Sequence, residues 1–420
     1  MKALKGFEKI QQHNFAELSA EESRFISNWD KVFQSIEEIK NYQYEGVDIG
    51  MGVASSYISY VRNPNPSTQD KNQIIARLFK ASFKVYFSFR RILNDGNPDL
   101  VYLFNGRFSS IRPVVRLCQS KQIEFRIHER GSNKMRYQVS RNHLPHDFRS
   151  FQNLVEQFWI ECAAQDRVKI ADNFFNERKA GMEQAWHSFT ASQKIGQLPA
   201  DWNPEVRNIV IFNSSEDEFA AIGDTFKINL FDNQLEGIKF ISSQISDQSN
   251  VKVYVRMHPN LRNVTNTSVT DIYQLASESL KIIAPESEVS SYQLIDSADA
   301  VITFGSTVGI EASYWGKPSI LIGDAFYKDL HSTYNPDTRE ELIRLLFSVT
   351  EPRDRLGAYK YGFYVSSYGI EFKYYEAGGL FDGKFKGKKI VAAPWISKHL
   401  KKRPFRQLLD ITSRIHAQRF

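Results

Sequence analysis

The sequence predicts an α/β protein with two domains that face each other across a cleft. Two series of short apolar segments alternate with helical stretches, which is the pattern of parallel sheets with crossover helices. The segment LPADWNP, with Pro199 and Pro204, separates the two series and suggests a hinge. The chain has 420 residues, more than one hydrophobic core usually serves, so two domains are expected.

The first series follows a polar, helical lead-in over residues 1–40. EGVDIGMGVASSYISYV predicts a short strand that runs into Gly50 and Gly52, followed by a helix. DLVYLFNGRFSSIRPVVRLCQSKQ predicts strand, turn and helix, and IEFRIHERGS predicts a further strand and turn. The pattern over residues 147–200 is long, helical and aromatic. We therefore assign residues 1–200 to an N-terminal, Rossmann-like domain.

The second series occupies residues 201–350. EVRNIVIFNSSEDEF predicts a strand and a polar loop, DNQLEGIKFISSQIS a helix, and NVKVYVRMHPN the next strand. SSYQLIDSADAVITFGSTVGIEASYWGKPSILIG predicts helix, strand, turn, helix and strand. A second Rossmann-like domain follows, with its ligand expected beyond the carboxyl ends of the strands. Residues 351–420 form a basic and aromatic tail that ends in a helical pattern, and we expect this tail to pack back on the N-terminal domain.

The composition is that of a soluble globular protein, with 42% hydrophobic and 24% charged residues. Two cysteines, Cys118 and Cys162, are too few for a disulfide framework. No apolar stretch approaches 18 residues, and the N-terminus lacks the hydrophobic core of a signal peptide. The sequence therefore indicates a cytoplasmic protein without a membrane-spanning helix.

The positive charge of the chain is concentrated near its end. Nine Lys/Arg and no Asp/Glu lie between Lys384 and Arg406, in a chain of net charge +6. Such a cluster suits nucleic acid, anionic lipid head groups or a diphosphate. A solvated basic tail explains the same composition, so the charge pattern alone leaves both interpretations open.

The segment SADAVITFGSTVGIEASYWGKPSIL predicts an anion site. Ala300–Phe304 is apolar enough for a buried strand, and Gly305 permits a tight turn. Ser306 and Thr307 then open a helix, where two hydroxyls and backbone N–H groups can bind a phosphate. Glu311 lies one helical turn after Thr307 and can reach a neighbouring polar group such as a ribose hydroxyl. In the simpler alternative, Ser306 is only the N-cap of this helix.

A histidine follows the strand VYVR at what we expect to be the same edge of the sheet. Pro259 cannot continue a strand ladder but suits the first turn of a helix, so the pair His258-Pro259 ends the strand. The imidazole then projects over the crevice and can donate a hydrogen bond to a phosphate or sugar oxygen. A histidine that merely caps a loop is the alternative.

Taken in order, these motifs resemble those of bacterial glycosyltransferases that use CMP-activated acidic sugars, the sialyltransferases and the Kdo transferases. Met257–Pro259 resembles their His-Pro motif, Gly305–Thr307 their Ser-Ser/Thr motif, and Glu129–Gly131 their Glu/Asp-x-Gly motif. The loop Asn213–Glu218 also resembles capsule and O-antigen Kdo transferases. Over about residues 45–330, the sequence resembles the retaining β-Kdo transferase domains of O-antigen synthases (glycosyltransferase family 99). The resemblance implies the GT-B fold, with an acceptor domain followed by a nucleotide-sugar domain.

The resemblance also implies roles for individual residues. Glu311 would lie near the nucleotide ribose, and Asp232 matches the carboxylate that attacks the sugar and forms a covalent adduct. From the residues alone, the favoured interpretation of Asp232 is the N-cap of the helix NQLEGIKFI. The residues implied to bind the nucleotide or its phosphate are Asn213, Ser214, Ser215, His258, Pro259, Gly305, Ser306 and Thr307, of which His258, Ser306 and Thr307 would hold the CMP phosphate.

Two further groups are needed for the implied chemistry. Glu129 is the candidate base for the acceptor hydroxyl, and its alternative is a salt bridge to Arg126 or Arg130. The sugar itself carries a carboxylate, which an arginine should bind. The candidates for that arginine are Arg256 and Arg130, with Arg107 and Arg112 also possible.

No Asp-x-Asp motif and no His/Cys ligand spacing occur, so we expect no metal and no cofactor, the CMP-sugar being a substrate. The resemblance implies transfer of Kdo from CMP-Kdo to a hydroxyl of a lipid-linked O-antigen or capsule glycan. The enzyme would then be peripheral to the inner membrane, with Lys384–Arg406 against its anionic surface. Fusion to other transferase domains is a further expectation, and a nucleic-acid partner is not.

Three other functions compete with this interpretation. A sialyltransferase-like enzyme shares the CMP-sugar motifs. A sugar-nucleotide 2-epimerase shares the architecture and a segment like Gly316–Pro318, but it does not explain Glu129–Gly131. A nucleic-acid binder fits the basic and aromatic composition of Tyr359–Phe385, but it leaves the order of the phosphate-site residues unexplained.

Overall fold

The computed structural model describes residues 17–69, 71–96, 98–182, 190, 193–223, 228–246, 248, 250–378 and 382–391. The predicted lead-in before residue 17 and the predicted basic tail beyond residue 391, with its terminal helix, lie outside the described residues. The helices are α1 (Ala20–Ser27), α2 (Ile36–Lys40), α3 (Ile49–Val61), α4 (Asn72–Gly96), α5 (Arg112–Ser120), α6 (Phe148–Glu161), α7 (Ala164–Lys179), α8 (Gln234–Ile245), α9 (Thr267–Tyr273), α10 (Ser291–Ser297), α11 (Val308–Tyr314), α12 (Arg339–Phe347) and α13 (Leu356–Ser367). The strands are β1 (Leu100–Phe104), β2 (Glu124–Arg130), β3 (Arg136–Arg141), β4 (Arg207–Phe212), β5 (Val251–Arg256), β6 (Leu280–Ile283), β7 (Ala300–Thr303), β8 (Ser319–Leu321), β9 (Ile370–Glu371), β10 (Tyr375–Ala377), β11 (Asp382–Phe385) and β12 (Lys388–Val391).

The second half of the chain contains a fully parallel sheet of five strands in the order β6-β5-β4-β7-β8. Alternate side chains of the central strand β4 enter two different cores. Ile209 and Ile211 pack in one, and Val210 and Phe212 pack in the other. Since both faces of the sheet are covered, its strands are apolar throughout, as parallel strands require. The predicted α/β class and the predicted second Rossmann-like domain are confirmed.

The first half contains a smaller, mixed sheet in the order β1-β2-β3-β9. β1 and β2 are parallel, whereas β3 and β9 are antiparallel to their neighbours. The strand predicted before Gly50 is wrong. Tyr44 and Val47 form a single bridge around a turn in which Glu45 and Gly46 have φ of +48° and +76°. This turn leads directly into α3, so no extended segment is left to join the sheet.

One face of the first sheet packs on helices α1 to α5, in a core rich in aromatic side chains. The opposite face carries Tyr102 and Phe104, which are both 60% exposed. Arg126 on this face donates to the Tyr102 hydroxyl and to Glu124. Within the described part of the chain, helices therefore cover one face of the first sheet and both faces of the second.

Helix α13 and the strand that follows connect the two halves. Tyr361 and Ala358 of α13 share a core with Phe175 of α7 and with Ile310 and Tyr314 of the second half. β9 then pairs with β3, so this part of the predicted C-terminal segment lies on the first sheet. The predicted domain boundaries at residues 200 and 350 stay a prediction, and α6 and α7 pack against α13 and the second half.

The last described strands form a small antiparallel sheet, β10-β11-β12. Lys384, Lys386, Lys388 and Lys389 of the predicted basic cluster are exposed on it, and the rest of that cluster lies outside the described residues. Across the part of the chain that is described, helices long and apolar enough to cross a membrane are absent.

The contact between α2 and α3 is tested by Gly50→Ala. A Cβ at Gly50 would lie 1.8 Å from the carbonyl oxygen of Ile39 and 2.8 Å from the Tyr42 side chain, so the helices must separate. We expect the free energy of unfolding to fall by at least about 2 kcal/mol, measured by chemical denaturation. Gly96→Ala is the matched control, since nothing lies within 4 Å of its Cβ, and its effect should stay within about 1 kcal/mol. Equal effects of the two changes would contradict the packing described here.

Candidate functional site

The ends of three neighbouring strands form the candidate site. The chain runs outward from β4 through β5 to β6, then returns to place β7 on the other side of β4. Phe212 lies beside Arg256 and beside Thr303, so the residues that follow these three strands meet at one edge. An open α/β sheet binds its ligand at the point where the strand order reverses. The predicted residues Asn213, His258 and Gly305 all lie at this point.

His258 is fixed by two hydrogen bonds. Its backbone N–H donates to Asn213 Oδ1 at 2.6 Å, and its Nδ1 accepts from the Asn260 N–H at 3.1 Å. Pro259 begins a turn of 3-10 helix, as expected from its fixed φ. Burial lowers the pKa of His258 to about 4, an effect that Asp217 opposes and Arg62 reinforces. The ring is therefore neutral at pH 7, and since Nδ1 accepts, Nε2 carries the proton and is a hydrogen-bond donor.

The predicted phosphate residues after β4 are buried and engaged with the protein. Asn213 Oδ1 holds the His258 backbone, as described. The Ser214 N–H donates to Gln234 Oε1 at 2.7 Å, while its hydroxyl is buried without a partner among the described residues. Ser215 Oγ donates to Asp217 Oδ1 at 2.6 Å. These side chains shape the loop, and their predicted contact with a phosphate stays a prediction.

The loop after β7 turns sharply at Gly305, whose φ is +141°. Ser306 Oγ accepts from the Val308 N–H at 3.3 Å, but Ser306 is not the N-cap of α11, because that position is held by Thr307. The buried hydroxyl of Tyr327 donates to the Ser306 carbonyl, and Gly309 leaves the space for that hydroxyl. Thr307 is exposed. Tyr327 thus holds the backbone of this loop from the protein interior, and Thr307 lies at the surface of the crevice.

Glu311 is buried and bound on both carboxylate oxygens. Oε1 accepts from Arg178 Nε at 3.0 Å and Nη2 at 2.8 Å, and Oε2 accepts from the Tyr292 hydroxyl at 2.6 Å. Thr307 Oγ1 lies 3.4 Å from Oε1, as the one-turn spacing predicts. Burial opposes the charge of Arg178, but the attraction of Glu311 outweighs it and the pKa of Arg178 is raised. The predicted contact of Glu311 with a ribose stays a prediction.

Arg62 links the candidate site to the first half of the chain. It ends α3 in the left-handed conformation, with φ of +59°. Its Nε forms an ion pair with the buried Asp217, and its Nη2 donates to Ser215 Oγ and to the Asn260 carbonyl. One side chain thereby connects α3 to the loops after β4 and β5.

Glu129 lies at the carboxyl end of β2, and its Oε1 accepts from Asn105 Nδ2 at 2.9 Å. The alternative salt bridge to Arg126 is wrong, because Arg126 pairs with Glu124 and Tyr102. The backbone at Gly131 packs closely against Arg136, and a Cβ at Gly131 would lie 2.8 Å from it. The Glu129–Gly131 motif thus combines a carboxylate at the sheet edge with a close backbone crossing.

Two of the four arginines considered for the sugar carboxylate are bound within the protein. Arg256 is 3% exposed, and its Nη1 and Nη2 donate to the carbonyls of Ala284 and Ser287. Burial lowers the pKa of Arg256 to about 10. Arg112 is also 3% exposed and forms an ion pair with Asp48 at 2.6 Å. Arg130 ends β2 beside Glu129 and is partly exposed.

Asp232 is exposed and forms no hydrogen bond or ion pair with any described residue. Its alternative role as an N-cap is wrong, because Asn233 Oδ1 accepts from the Glu236 N–H and is the N-cap of α8. Asp232 lines a surface pocket of about 210 Å³ with Glu236 and Arg339. Gln234 contacts the loop after β4, so Asp232 lies on the carboxyl side of the sheet.

Sequence reasoning missed several residues that build the site. Arg62 and Arg178 lie 155 and 133 positions from their partners, Asp217 and Glu311, so no local spacing reveals the pairs. A signal for Arg62 does exist, since it precedes NPNP at the end of a helical pattern, where a capping residue is expected. Tyr292 carries no such signal.

The neutral histidines predict a pH dependence of stability. Burial lowers the pKa of His258 and of His146 to about 4, from an ordinary value of 6.5. Their contribution to stability is complete above pH 6.5 and is lost as the pH falls towards 4, because the unfolded chain then binds more protons. We expect each to account for about 2 kcal/mol of the loss by pH 5. Denaturation of His146→Gln and His258→Gln at pH 7.5 and 5.0 should show a smaller loss than the wild type, and an equal loss would contradict the lowered pKa values.

The comparisons with known proteins bear on the second half of the chain. Residues 229–337 match the sequence profile of the family described as "Capsule polysaccharide biosynthesis protein". This stretch includes Asp232, His258 and Gly305–Thr307. None of the curated proteins matches the sequence. The match agrees with the predicted resemblance to transferases of the capsule and O-antigen type.

Three solved structures align with this chain at low sequence identity. The KpsC β-Kdo 2,4 transferase of Thermosulfurimonas dismutans is 13% identical over 62% of this chain and 77% of its own, with a TM-score of 0.42. The KpsC β-Kdo 2,7 transferase of the same organism is 12% identical over 76% and 89%, with a TM-score of 0.39. The UDP-GlcNAc 2-epimerase of Methanocaldococcus jannaschii is 16% identical over 68% and 79%, with a TM-score of 0.28. TM-scores below 0.5 carry no argument on function, so residues 229–337 are what relates this chain to capsule biosynthesis proteins.

Proposed function

We propose that the protein is a glycosyltransferase that moves Kdo from CMP-Kdo to a sugar hydroxyl of a lipid-linked O-antigen or capsule glycan. The observation that carries this proposal is the meeting of His258 and Gly305–Thr307 at the switch point of a parallel sheet. Both lie within the stretch that matches capsule biosynthesis proteins. The donor would bind there, and the acceptor would approach from the first half.

Three kinds of hydrogen-bond donor would stabilise the departing CMP. The Nε2–H of neutral His258 can donate to a phosphate oxygen, because Nδ1 is the acceptor of the Asn260 bond. Thr307 is exposed at the crevice, and its hydroxyl, which donates to Glu311 Oε1 at 3.4 Å, would turn to a phosphate oxygen. Backbone N–H groups at the start of α11 would complete the set. Such prearranged donors stabilise charge where it develops in the transition state. A single phosphate needs less neutralisation than a diphosphate, so this set is adequate for CMP.

Retention of configuration requires two displacements. A carboxylate oxygen of Asp232 would bond to the ketosidic carbon as the bond from that carbon to the phosphate oxygen breaks, and CMP leaves with the electron pair. The acceptor oxygen would then displace Asp232, while its proton passes to the carboxylate of Glu129. The exposed position of Asp232 and the bond from Asn105 that orients Glu129 support these roles.

A lipid-linked acceptor would bring the enzyme to the membrane surface. Lys384, Lys386, Lys388 and Lys389 are exposed together on the small sheet β10-β11-β12. Each well-placed lysine contributes roughly 1 kcal/mol towards binding an anionic surface. These residues support peripheral contact by the cytoplasmic enzyme.

Calorimetry with CMP, CDP and UDP tests the donor class. We expect preference for CMP, and His258→Ala should weaken CMP binding by roughly tenfold or more, the cost of one hydrogen bond to a charged group. His128→Ala is the control, since His128 packs against Phe104 and Tyr137 on the open face of the first sheet. Binding of UDP without CMP would instead support a 2-epimerase and would overturn the proposal.

Asp232→Asn tests the covalent step. Loss of the nucleophile should lower the transfer rate by on the order of 10³-fold or more, measured with CMP-Kdo and an acceptor glycan. Glu236→Gln is the matched control, because Glu236 lines the same pocket and pairs with Lys239 at the surface. Near-wild-type transfer by Asp232→Asn would exclude a covalent adduct on this residue.

A further inference from the structure

One arginine in the cleft has unused hydrogen-bonding capacity. Asn105 and Gly106 have φ of +63° and +89°, so the chain reverses directly after β1 and brings Arg107 to the carboxyl edge of the first sheet. The loop before α6 covers this turn closely, since a Cβ at Gly106 would lie 2.6 Å from Leu144 Cδ2. This loop also carries His146. The two loops therefore enclose one corner of the cleft.

The guanidinium of Arg107 reaches across to the second half of the chain. Its Nη1 donates to the Glu218 carbonyl at 2.7 Å, and its plane lies over the Phe108 ring at 4.5 Å. Its Nε is buried and has no hydrogen-bond partner among the described residues. Ion pairs of Arg107 are also absent from the described residues. Burial lowers the pKa of Arg107, although the negative charges of Glu218, Glu129 and Asp217 oppose that effect.

His146 is the second residue in this corner of the cleft that has a nitrogen without a hydrogen-bond partner among the described residues. Its Nδ1 is buried and has no hydrogen-bond partner in the described part of the chain. Burial, and then the positive charge of Arg107, lower the pKa of His146. The close approach of Gly106 to Leu144 places the loops of the two residues side by side. Buried polar atoms are nearly always paired in native proteins. Two unpaired groups on neighbouring loops, one of them cationic, therefore point to an anionic ligand.

The other buried or bridging arginines near the cleft use more of their N–H groups, although the Nε of Arg256 is also buried without a partner among the described residues. Arg62 pairs with Asp217, Arg112 with Asp48, and Arg256 donates to two carbonyls. Arg107 differs because Nη1 is its only side-chain nitrogen that donates to a described residue, whereas Arg256 uses both Nη1 and Nη2. The Nε of Arg107, which is buried, and its Nη2 form the other edge of the guanidinium plane. Such an edge offers two parallel N–H groups, the arrangement that matches the two oxygens of a carboxylate.

We propose that Arg107 and His146 form a pocket that binds the carboxylate of the acidic sugar on the donor. This inference rests on the proposed function. The pocket lies at the edge of the first sheet that also carries Glu129, and the Nη1 bond to Glu218 brings it against the loop after β4. The two halves of the chain would thus share the donor, with the nucleotide in the second half and the sugar carboxylate on the first.

The test is calorimetric titration of Arg107→Gln with CMP-Kdo, without acceptor, and with CMP in parallel. We expect CMP-Kdo to bind about 10 to 100-fold more weakly than to the wild type, the cost of a charge-assisted pair, while CMP affinity changes less than about twofold. Arg107→Lys should restore only part of the loss, since lysine keeps the charge without the paired N–H groups. His146→Gln should weaken CMP-Kdo alone, by a few-fold.

Arg126→Gln is the control, because Arg126 lies on the open face of the same sheet and pairs with Glu124. Unchanged CMP-Kdo affinity in Arg107→Gln would overturn the pocket. Equal losses for CMP and CMP-Kdo would also overturn it, by assigning Arg107 to the phosphate or to the fold. A wild-type protein that binds neither compound would instead refute the proposed function, so the two failures are distinguishable.

Discussion

The ion pair between Arg62 and Asp217 fixes how the two halves of the molecule meet. Asp217 is 5% exposed, so its charge would be costly without a partner, and that partner comes from the end of α3 in the other half. The same guanidinium bonds Ser215 and the Asn260 carbonyl. The loops after β4 and β5, which carry most of the candidate donor site, therefore keep their shape only while α3 lies against them. The shape of the candidate site and the position of α3 against it therefore depend on the same ion pair.

The fold of the second half was predictable because its signals are local. Apolar runs mark the strands, and Pro259 and Gly305 mark their ends, so the sequence correctly places His258 and the Gly305 loop at one edge of the sheet. The first half was harder, since β9 joins its sheet from more than 200 residues away along the chain. Local periodicity in the sequence cannot predict the pairing of β9 with β3.

The same distinction explains what could be known of the site. Thr307 and Glu311 are one turn apart, and their proximity follows from helix geometry. That Arg178 and Tyr292 bind the Glu311 carboxylate follows only from tertiary packing of α7 and α10. The N-cap of α8 shows that local sequence does not always distinguish between two neighbouring candidates. Asp232 and Asn233 are both good N-caps, and the structure selects Asn233, which leaves the carboxylate of Asp232 facing solvent.

The return of the chain through α13 and β9 has a consequence for biosynthesis. β9 supplies the outer strand of the first sheet, and the aromatic core of α7 with Phe175 is covered by Tyr361 and Ala358 of α13. During synthesis, the first half therefore emerges with one strand edge unpaired and one apolar surface uncovered until about residue 371 has left the ribosome. Contacts of such sequence separation slow folding and expose intermediates to association. The nascent chain must pass through that state until α13 and β9 have been translated, so its maturation depends on the segment translated last among these elements.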